Sequence, residues 1–197
     1  METMSQKDLQ GAARAFRWAA QRAFQLGLQA STGGNISIRI GPDRFLTKPT
    51  GIGLTECWHS DLVLVDGRGS PLEGHDKPTK EVQVHLAIFQ VRSDVHGIVH
   101  YHAPFATAYA VRGLALPLPT LHARRILKEV PLIAEYPEGS PELAAAVART
   151  CEDVEVVGLL MANHGLVAVG SNLQQAQYRA ELMEESARIG WLSHDIH

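Results

Sequence analysis

A short run of β-branched and aromatic residues carries two histidines at alternate positions. Residues 97–102 read Gly-Ile-Val-His-Tyr-His, which places one residue between His100 and His102. Because successive side chains of a β-strand point to opposite faces, we expect both imidazoles on one face and Tyr101 packed on the other. A third histidine, His164, ends a second apolar run and precedes Gly165. Three imidazoles that leave one position open are typical of catalytic zinc sites.

Histidines in this pattern can also have purely structural roles. The chain has 10 histidines, and an isolated His-x-His pair indicates a surface or core position as readily as a metal ligand. His85 illustrates the alternative, because it falls beside Val82, Leu86 and Phe89 on the apolar side of a predicted helix. This position favours a core role, or a place behind the ligands, over metal binding.

A carboxylate, Glu81, stands 19 residues before His100. Pro78 and Thr79 predict a helix start, so we expect Glu81 in the first helical turn, where the helix dipole favours a negative charge. A helix-terminus acid with no further role is the alternative interpretation.

Two loops carry groups that favour anion binding. Residues 31–35 read Ser-Thr-Gly-Gly-Asn before an alternating strand, and glycines there allow the backbone to present N–H groups to an anion. A tight turn would use the same residues. Residues 47–51 read Thr-Lys-Pro-Thr-Gly and supply hydroxyl and backbone donors of the kind that hold a phosphate.

The order of these motifs resembles the class II aldolase and adducin family of zinc-dependent sugar-phosphate lyases and epimerases. Five motifs follow one another over nearly the whole chain: Thr-Gly-Gly-Asn, Lys-Pro-Thr-Gly, Lys-Pro-Thr-Lys-Glu, His-x-His and Asn-His-Gly. The resemblance implies that His100, His102 and His164 bind Zn²⁺, and that Glu81 is both the proton-transferring group and a fourth ligand of the resting site. It also implies that five residues contact the substrate phosphate: Gly34, Asn35, Thr50, Gly51 and Thr79.

Within the family, residues 76–81 are most similar to the branch that decarboxylates 3-oxo-tetronate 4-phosphates. The fuculose-phosphate aldolase branch has two serines where Thr79 and Lys80 stand. A cation at Lys80 suits a substrate that bears both a carboxylate and a phosphate, although a solvated lysine on a helix surface is the alternative. We therefore expect loss of CO2 through a metal-stabilised enediolate, with dihydroxyacetone phosphate as the product.

Several alternatives stay open at this point. Retro-aldol cleavage of a ketose 1-phosphate passes through the same enediolate, and an adducin-like interaction module would keep the fold without the metal. The epimerase branch is expected to have aspartate at position 81. Mn²⁺ or Co²⁺ could replace Zn²⁺. The resemblance further implies a homotetramer with active sites between subunits.

Composition agrees with one enzyme domain over residues 1–197. The chain is 45% hydrophobic and 20% charged, which suffices for an ordinary core. A net charge of -3 and scattered basic residues argue against a nucleic-acid partner. No run approaches the roughly 18 apolar residues of a membrane span. Two cysteines and a polar start without a signal peptide predict a cytoplasmic protein.

Hydrophobic periodicity predicts an α/β fold, namely a three-layer α/β/α sandwich around a mainly antiparallel sheet, which the resemblance also implies. An apolar stripe from Leu9 through Phe24 to Leu28 predicts an N-terminal helix that ends near Gly27. Further helices are predicted at residues 79–91, 104–111, 141–151 and 173–192. Strands are predicted at residues 36–40, 45–47, 62–65, 98–102, 156–161 and 166–169. Residues 130–139 are predicted to form a proline-rich loop.

Overall fold

The structure, a computed structural model, describes residues 6–75 and 77–193. Asp76, the first residue of the decarboxylase-like stretch, lies outside the described residues. The helices are α1 (Gln6–Gln25), α2 (Val82–Val91), α3 (Pro104–Val111), α4 (Leu121–Leu127), α5 (Pro141–Cys151) and α6 (Leu173–Ser193). The strands are β1 (Asn35–Gly41), β2 (Arg44–Thr47), β3 (Val63–Val65), β4 (Pro71–Gly74), β5 (Gly97–Tyr101), β6 (Leu132–Ile133), β7 (Gly158–Met161) and β8 (Gly165–Gly170).

These strands form one 8-stranded sheet in the order β4-β3-β2-β1-β5-β8-β7-β6. Every neighbouring pair is antiparallel except β6 and β7, so the predicted mainly antiparallel sheet is confirmed. The histidine-bearing strand β5 lies between β1 and β8, where it pairs on both edges. A strand in this position has its backbone groups satisfied on both sides, which holds its side chains in fixed directions.

Helices cover both faces of the sheet, and this confirms the three layers. On one face Phe16, Tyr101 and Leu160 belong to a core that includes residues of α1, α3, α4 and α6. On the other face Ile98 and Val147 belong to a core shared with α2 and α5. Tyr101 points away from the histidine face and its hydroxyl donates to Gln177 Oε1 at 2.7 Å. The sequence prediction for this residue is therefore confirmed.

The predicted start of the second helix is wrong by one turn. α2 begins at Val82, and Glu81 occupies the N-cap position instead of the first turn. The preceding residues are held extended, because Thr79 N–H donates to the carbonyl oxygen of Lys48 at 2.8 Å and Thr50 N–H donates to that of Lys77 at 3.0 Å. This pairing overrides the helix-start signal and joins the two segments predicted to bind phosphate.

Other differences follow from weak local signals. Phe24 is 62% exposed, so the apolar stripe of α1 stops short of it. The predicted loop at residues 130–139 contains β6, a two-residue strand paired with β7. The sequence did not predict α4, which has only 7 residues, or β4, whose residues are all exposed and give no apolar pattern. Strand β5 ends at Tyr101, so His102 lies one residue beyond it.

None of the helices in the described part of the chain combines the length and the apolar character required to cross a bilayer.

Candidate metal centre

The three histidines lie together at one end of the central strands. His100 is the fourth residue of β5, His102 follows that strand, and His164 lies in the turn that joins β7 to β8. The ring centroid of His100 is 4.9 Å from that of His102 and 4.7 Å from that of His164, and the other two rings are 5.4 Å apart. A Cβ atom on Gly165 would lie 2.5 Å from the carbonyl oxygen of Tyr101 and would press on the rings of His100 and His102, which explains why glycine follows His164.

Hydrogen bonding fixes which nitrogen of His100 is free to bind a metal. His100 Nδ1 lies 2.9 Å from the carbonyl oxygen of Leu166. A carbonyl only accepts, so Nδ1 carries the proton and Nε2 presents a lone pair. Burial is the main cause that lowers the pKa of His100 to about 4, which keeps this imidazole neutral near pH 7. His100 Nε2 faces His102 Nε2 at 3.1 Å.

Glu81 completes the cluster from the start of α2. Its Oε2 is 3.2 Å from His100 Nε2 and its Oε1 is 3.3 Å from His164 Nε2. Asn35 Nδ2 donates to Oε2 at 2.9 Å. Burial raises the pKa of Glu81, but the facing His100 and His164 rings and the Asn35 amide outweigh burial, so the pKa lies below its ordinary value.

The donor set fits a divalent metal ion. Glu81 Oε1 and His164 Nε2 are buried and have no hydrogen-bond partner among the described residues. Buried acceptors that face one another are costly unless a cation or a proton lies between them. Three imidazoles and one carboxylate are ligands that Zn²⁺ and related ions accept. The residues present therefore suit the ion that the sequence predicted.

Gln29 holds the backbone at His102, and the sequence analysis did not identify it. Its Oε1 accepts the N–H of His102 at 2.9 Å, and the residue is buried. Gly34 has φ +62°, and a Cβ atom there would overlap the Gln29 side chain. The glycine-rich loop is thus tied to a metal donor. Gln29 lies outside every recognised motif, so the sequence carried no signal for it.

A buried chain of hydrogen bonds lies behind Glu81. Thr47 Oγ1 donates to the carbonyl oxygen of Ile36 at 3.2 Å, Ser37 Oγ is 2.8 Å from Thr47 Oγ1, and His85 Nδ1 is 2.7 Å from Ser37 Oγ. Because each hydroxyl has one proton, Ser37 donates to Thr47 and His85 Nδ1–H donates to Ser37. Burial lowers the pKa of His85 to about 3. His85 therefore has a structural position behind the ligands, as its apolar neighbours indicated.

A pocket of about 230 Å³ opens beside the metal donors. All six residues predicted to contact substrate line it: Gly34, Asn35, Thr50, Gly51, Thr79 and Lys80. Lys48, which the sequence analysis considered only as part of a motif, also lines this pocket and is buried. Lys48 Nζ donates to the carbonyl oxygen of Thr32 at 2.7 Å, and burial lowers the pKa of its ammonium group. Substrate contacts by these residues stay predictions.

Two arginines of α4, Arg124 and Arg125, lie away from this pocket. Arg124 donates to the carbonyl oxygens of Leu118 and Pro119, and Arg125 contacts His122. Both side chains are exposed, and neither lines the pocket beside the metal donors. Their hydrogen bonds join α4 only to its own residues and to the segment just before it.

Comparison with known proteins gives consistent matches over most of the chain. The family described as Class II Aldolase and Adducin N-terminal domain matches residues 14–191. An L-fuculose phosphate aldolase of Methanococcus maripaludis is 32% identical over 165 residues, which cover 84% of this chain and 88% of that protein. The L-ribulose-5-phosphate 4-epimerase UlaF of Salmonella paratyphi B is 34% identical over 183 residues, with 87% and 80% covered.

A solved structure shows the same arrangement of elements. YgbL from Klebsiella pneumoniae, described as a candidate aldolase/epimerase/decarboxylase, has a TM-score of 0.88 and 29% sequence identity. The superposition covers 96% of this chain and 92% of that one.

Proposed function

The chain belongs to the class II aldolase and adducin family, and from this premise we propose that it is a Zn²⁺-dependent lyase that decarboxylates a 3-oxo-tetronate 4-phosphate to dihydroxyacetone phosphate and CO2. A metal-dependent lyase role agrees with the matched family and with the relative named L-fuculose phosphate aldolase. The choice of decarboxylation rests on one observation. Two lysines, Lys48 and Lys80, line the pocket that opens beside the metal donors.

The reaction needs two anion sites and one proton donor. The bond between C1 and C2 breaks, C1 leaves as CO2, and the electron pair stays on C2 beside the C3 carbonyl. One proton must then reach C2. His100, His102, His164 and Glu81 would hold the metal ion, which as a Lewis acid supplies polarisation of substrate oxygens.

Glu81 is the group that moves the proton in this proposal. Asn35 holds Oε2, whereas Oε1 has no hydrogen-bond donor among the described residues. Oε1 is therefore the oxygen that would take up a proton from solvent in the open pocket and then, with substrate bound, give it to C2. Burial of the carboxyl group excludes water and favours transfer to the substrate over exchange with solvent.

The loops of the pocket would bind the two charged ends of the substrate. Lys48, Thr50 and Thr79 offer an ammonium group and two hydroxyls for the phosphate, beside the backbone N–H groups of Gly34 and Gly51. Lys80 is exposed at the same pocket and would face the carboxylate. Binding energy from the phosphate, which does not react, then helps to position C1 and C2.

Product analysis of the purified protein tests the proposal. Zn²⁺-loaded protein is incubated with 3-oxo-tetronate 4-phosphates, and headspace CO2 and dihydroxyacetone phosphate are measured together. Equal amounts of the two products are expected. Failure to release CO2 from any of these substrates would contradict decarboxylation.

Retro-aldol cleavage of a ketose 1-phosphate is the second candidate. It is favoured by the relatives named L-fuculose phosphate aldolase, one of them 32% identical. The same phosphate loops and the same Glu81 would serve it, because cleavage also leaves an electron pair beside a carbonyl. Release of an aldehyde without CO2 in a parallel screen of ketose 1-phosphates would select this candidate.

We also propose that the protein is a homotetramer. Large apolar side chains are exposed on α4 and at the end of α6, where Leu121 is 80% and Trp191 54% exposed. Exposed apolar surface of this kind favours association. Light scattering at micromolar concentration is expected to give the mass of four chains, and the mass of one chain would contradict the proposal.

A further inference from the structure

A glutamate outside the recognised motifs, Glu138, lies at the edge of the metal centre. It belongs to the segment between β6 and α5 and lines the same pocket as Glu81 and His102. One of its carboxylate oxygens lies within 4.8 Å of ligand atoms of Glu81 and His164. Nothing in the sequence pattern marked this residue, because the segment around it contains no periodic or motif signal.

The backbone holds Glu138 in place. Ser140 N–H donates to the carbonyl oxygen of Pro137 at 3.1 Å, and Gly139 has φ +68°. Residues 137–140 therefore form a turn whose third position requires glycine, as in a type II turn. A Cβ atom on Gly139 would lie 2.8 Å from the carbonyl oxygen of Lys80, so the turn packs directly against the residue before Glu81. Ser140 then caps α5.

Within residues 6–75 and 77–193 the carboxylate of Glu138 makes no hydrogen bond or ion pair, although its charge acts on the neighbouring His102. It faces a second carboxylate, that of Glu81, which is only 4% exposed. Oε1 of Glu81 also has no hydrogen-bond partner among the described residues. Two carboxylates at this distance repel each other unless a cation lies between them. A divalent ion with neutral imidazoles and both carboxylates would give a site of zero net charge.

We infer that Glu138 is a further ligand of the metal centre, binding the divalent ion through a carboxylate oxygen from the mouth of the pocket. The inference rests on the proposed metal-dependent function. It adds a residue from a different part of the chain to the site formed by His100, His102, His164 and Glu81.

Metal binding to a charge-removing variant tests this inference without an activity assay. Glu138→Gln keeps the size of the side chain and is exposed, so the fold is expected to persist. Glu142→Gln, an exposed glutamate in the first turn of α5, removes the same charge away from the site and is the control. The Zn²⁺ dissociation constant is measured by competition with a chromogenic chelator, and the visible absorption of Co²⁺-loaded protein is recorded.

Glu138→Gln is expected to weaken Zn²⁺ binding by at least about 10–100-fold, because losing a group that only orients a metal ligand already costs this much. It is also expected to change the Co²⁺ absorption band, because this band depends on the number and type of ligands. Glu142→Gln should leave both unchanged. Weaker binding with an unchanged Co²⁺ band would mean that Glu138 acts through its charge alone, and unchanged binding would also overturn the inference. If the unmutated protein binds no Zn²⁺, the proposed function fails as well.

Discussion

The metal end and the anion end of the pocket are built from different parts of the fold. The metal donors lie on or beside the central strands, and His100 and Glu81 are 1% and 4% exposed. The anion end consists mainly of loops, in which Gly51 and Lys80 are exposed whereas Lys48 and Thr79 are buried. Rigid strands keep ligands at fixed distances, whereas loops accept substitutions at little cost in stability. Under the proposed function, the sheet would therefore hold the metal and the loops would select the substrate.

Removal of a metal ligand should produce the largest effect and tests the metal end directly. His102→Ala is expected to abolish metal binding and activity while the domain stays folded, because His102 is only partly buried and lies beyond β5. Metal content and circular dichroism of the purified variant check both parts. Full metal occupancy after His100, His102 and His164 are all changed to alanine would refute the assignment.

Glu81→Gln should retain much of the metal but remove the proton-transferring group. Glutamine keeps the size of the side chain and can still contact Asn35, yet it cannot exchange a proton. We expect kcat to fall by about 10²–10⁴-fold, the usual contribution of general acid–base catalysis. Steady-state kinetics on metal-saturated protein measure this. A loss of Zn²⁺ that accounts for the whole fall in activity would assign Glu81 to metal binding alone.

The sequence predicted the fold class and the grouping of the three histidines, but not every element of the fold. His100 and His102 carry a period-two signal on a strand, and this signal depends only on local geometry. By contrast, the exposed strand β4 and the short helix α4 have no apolar periodicity to detect. The start of α2 was wrong because Thr79 pairs with Lys48, a contact between residues far apart in the sequence. Local propensity cannot anticipate such pairing.

Some residues beside the candidate site were not predicted, for the same reason. Gln29 contacts His102, which is distant in the sequence, and packs against Gly34 of the glycine loop. Glu138 lies near Glu81 because the turn at Gly139 packs against Lys80. Lys48 was noticed as part of a motif, but its burial follows from the packing of the loop around Thr32. Residues that act through contacts between distant segments leave no spacing signal in one sequence.

Lys80→Ser changes only the anion end and tests whether the loops select the substrate. The variant restores the small hydroxyl residue of the aldolase branch. Loss of a charge-assisted contact should raise KM for a carboxylated substrate by an amount equivalent to about 1–3 kcal/mol, with metal content unchanged. The ketose 1-phosphate reaction should be less affected. Equal KM values for the variant and the unmutated protein, measured with the carboxylated substrate, would remove Lys80 from the site.

Acid should weaken the metal end through its buried histidines. Burial lowers the pKa of His100 from 6.5 to about 4 and that of His85 from 6.5 to about 3. Between these values and 6.5 the unfolded chain binds more protons than the folded chain, so stability rises with pH and is lost as pH falls. The pKa of Glu81 lies below its ordinary value, so the stability contributed by this carboxylate is also lost as pH falls, but at lower pH.

The free energy of unfolding of chelator-treated protein should therefore decrease from pH 6.5 toward pH 4. Each buried histidine contributes at most about 1.4 kcal/mol per pH unit. Urea denaturation at several pH values measures the slope, and His100→Gln should make it shallower because one titrating group is removed. His96→Gln, a change at an exposed histidine, should leave the slope as it is. A slope that His100→Gln does not alter would show that His100 is not the neutral, buried donor on which the metal end depends.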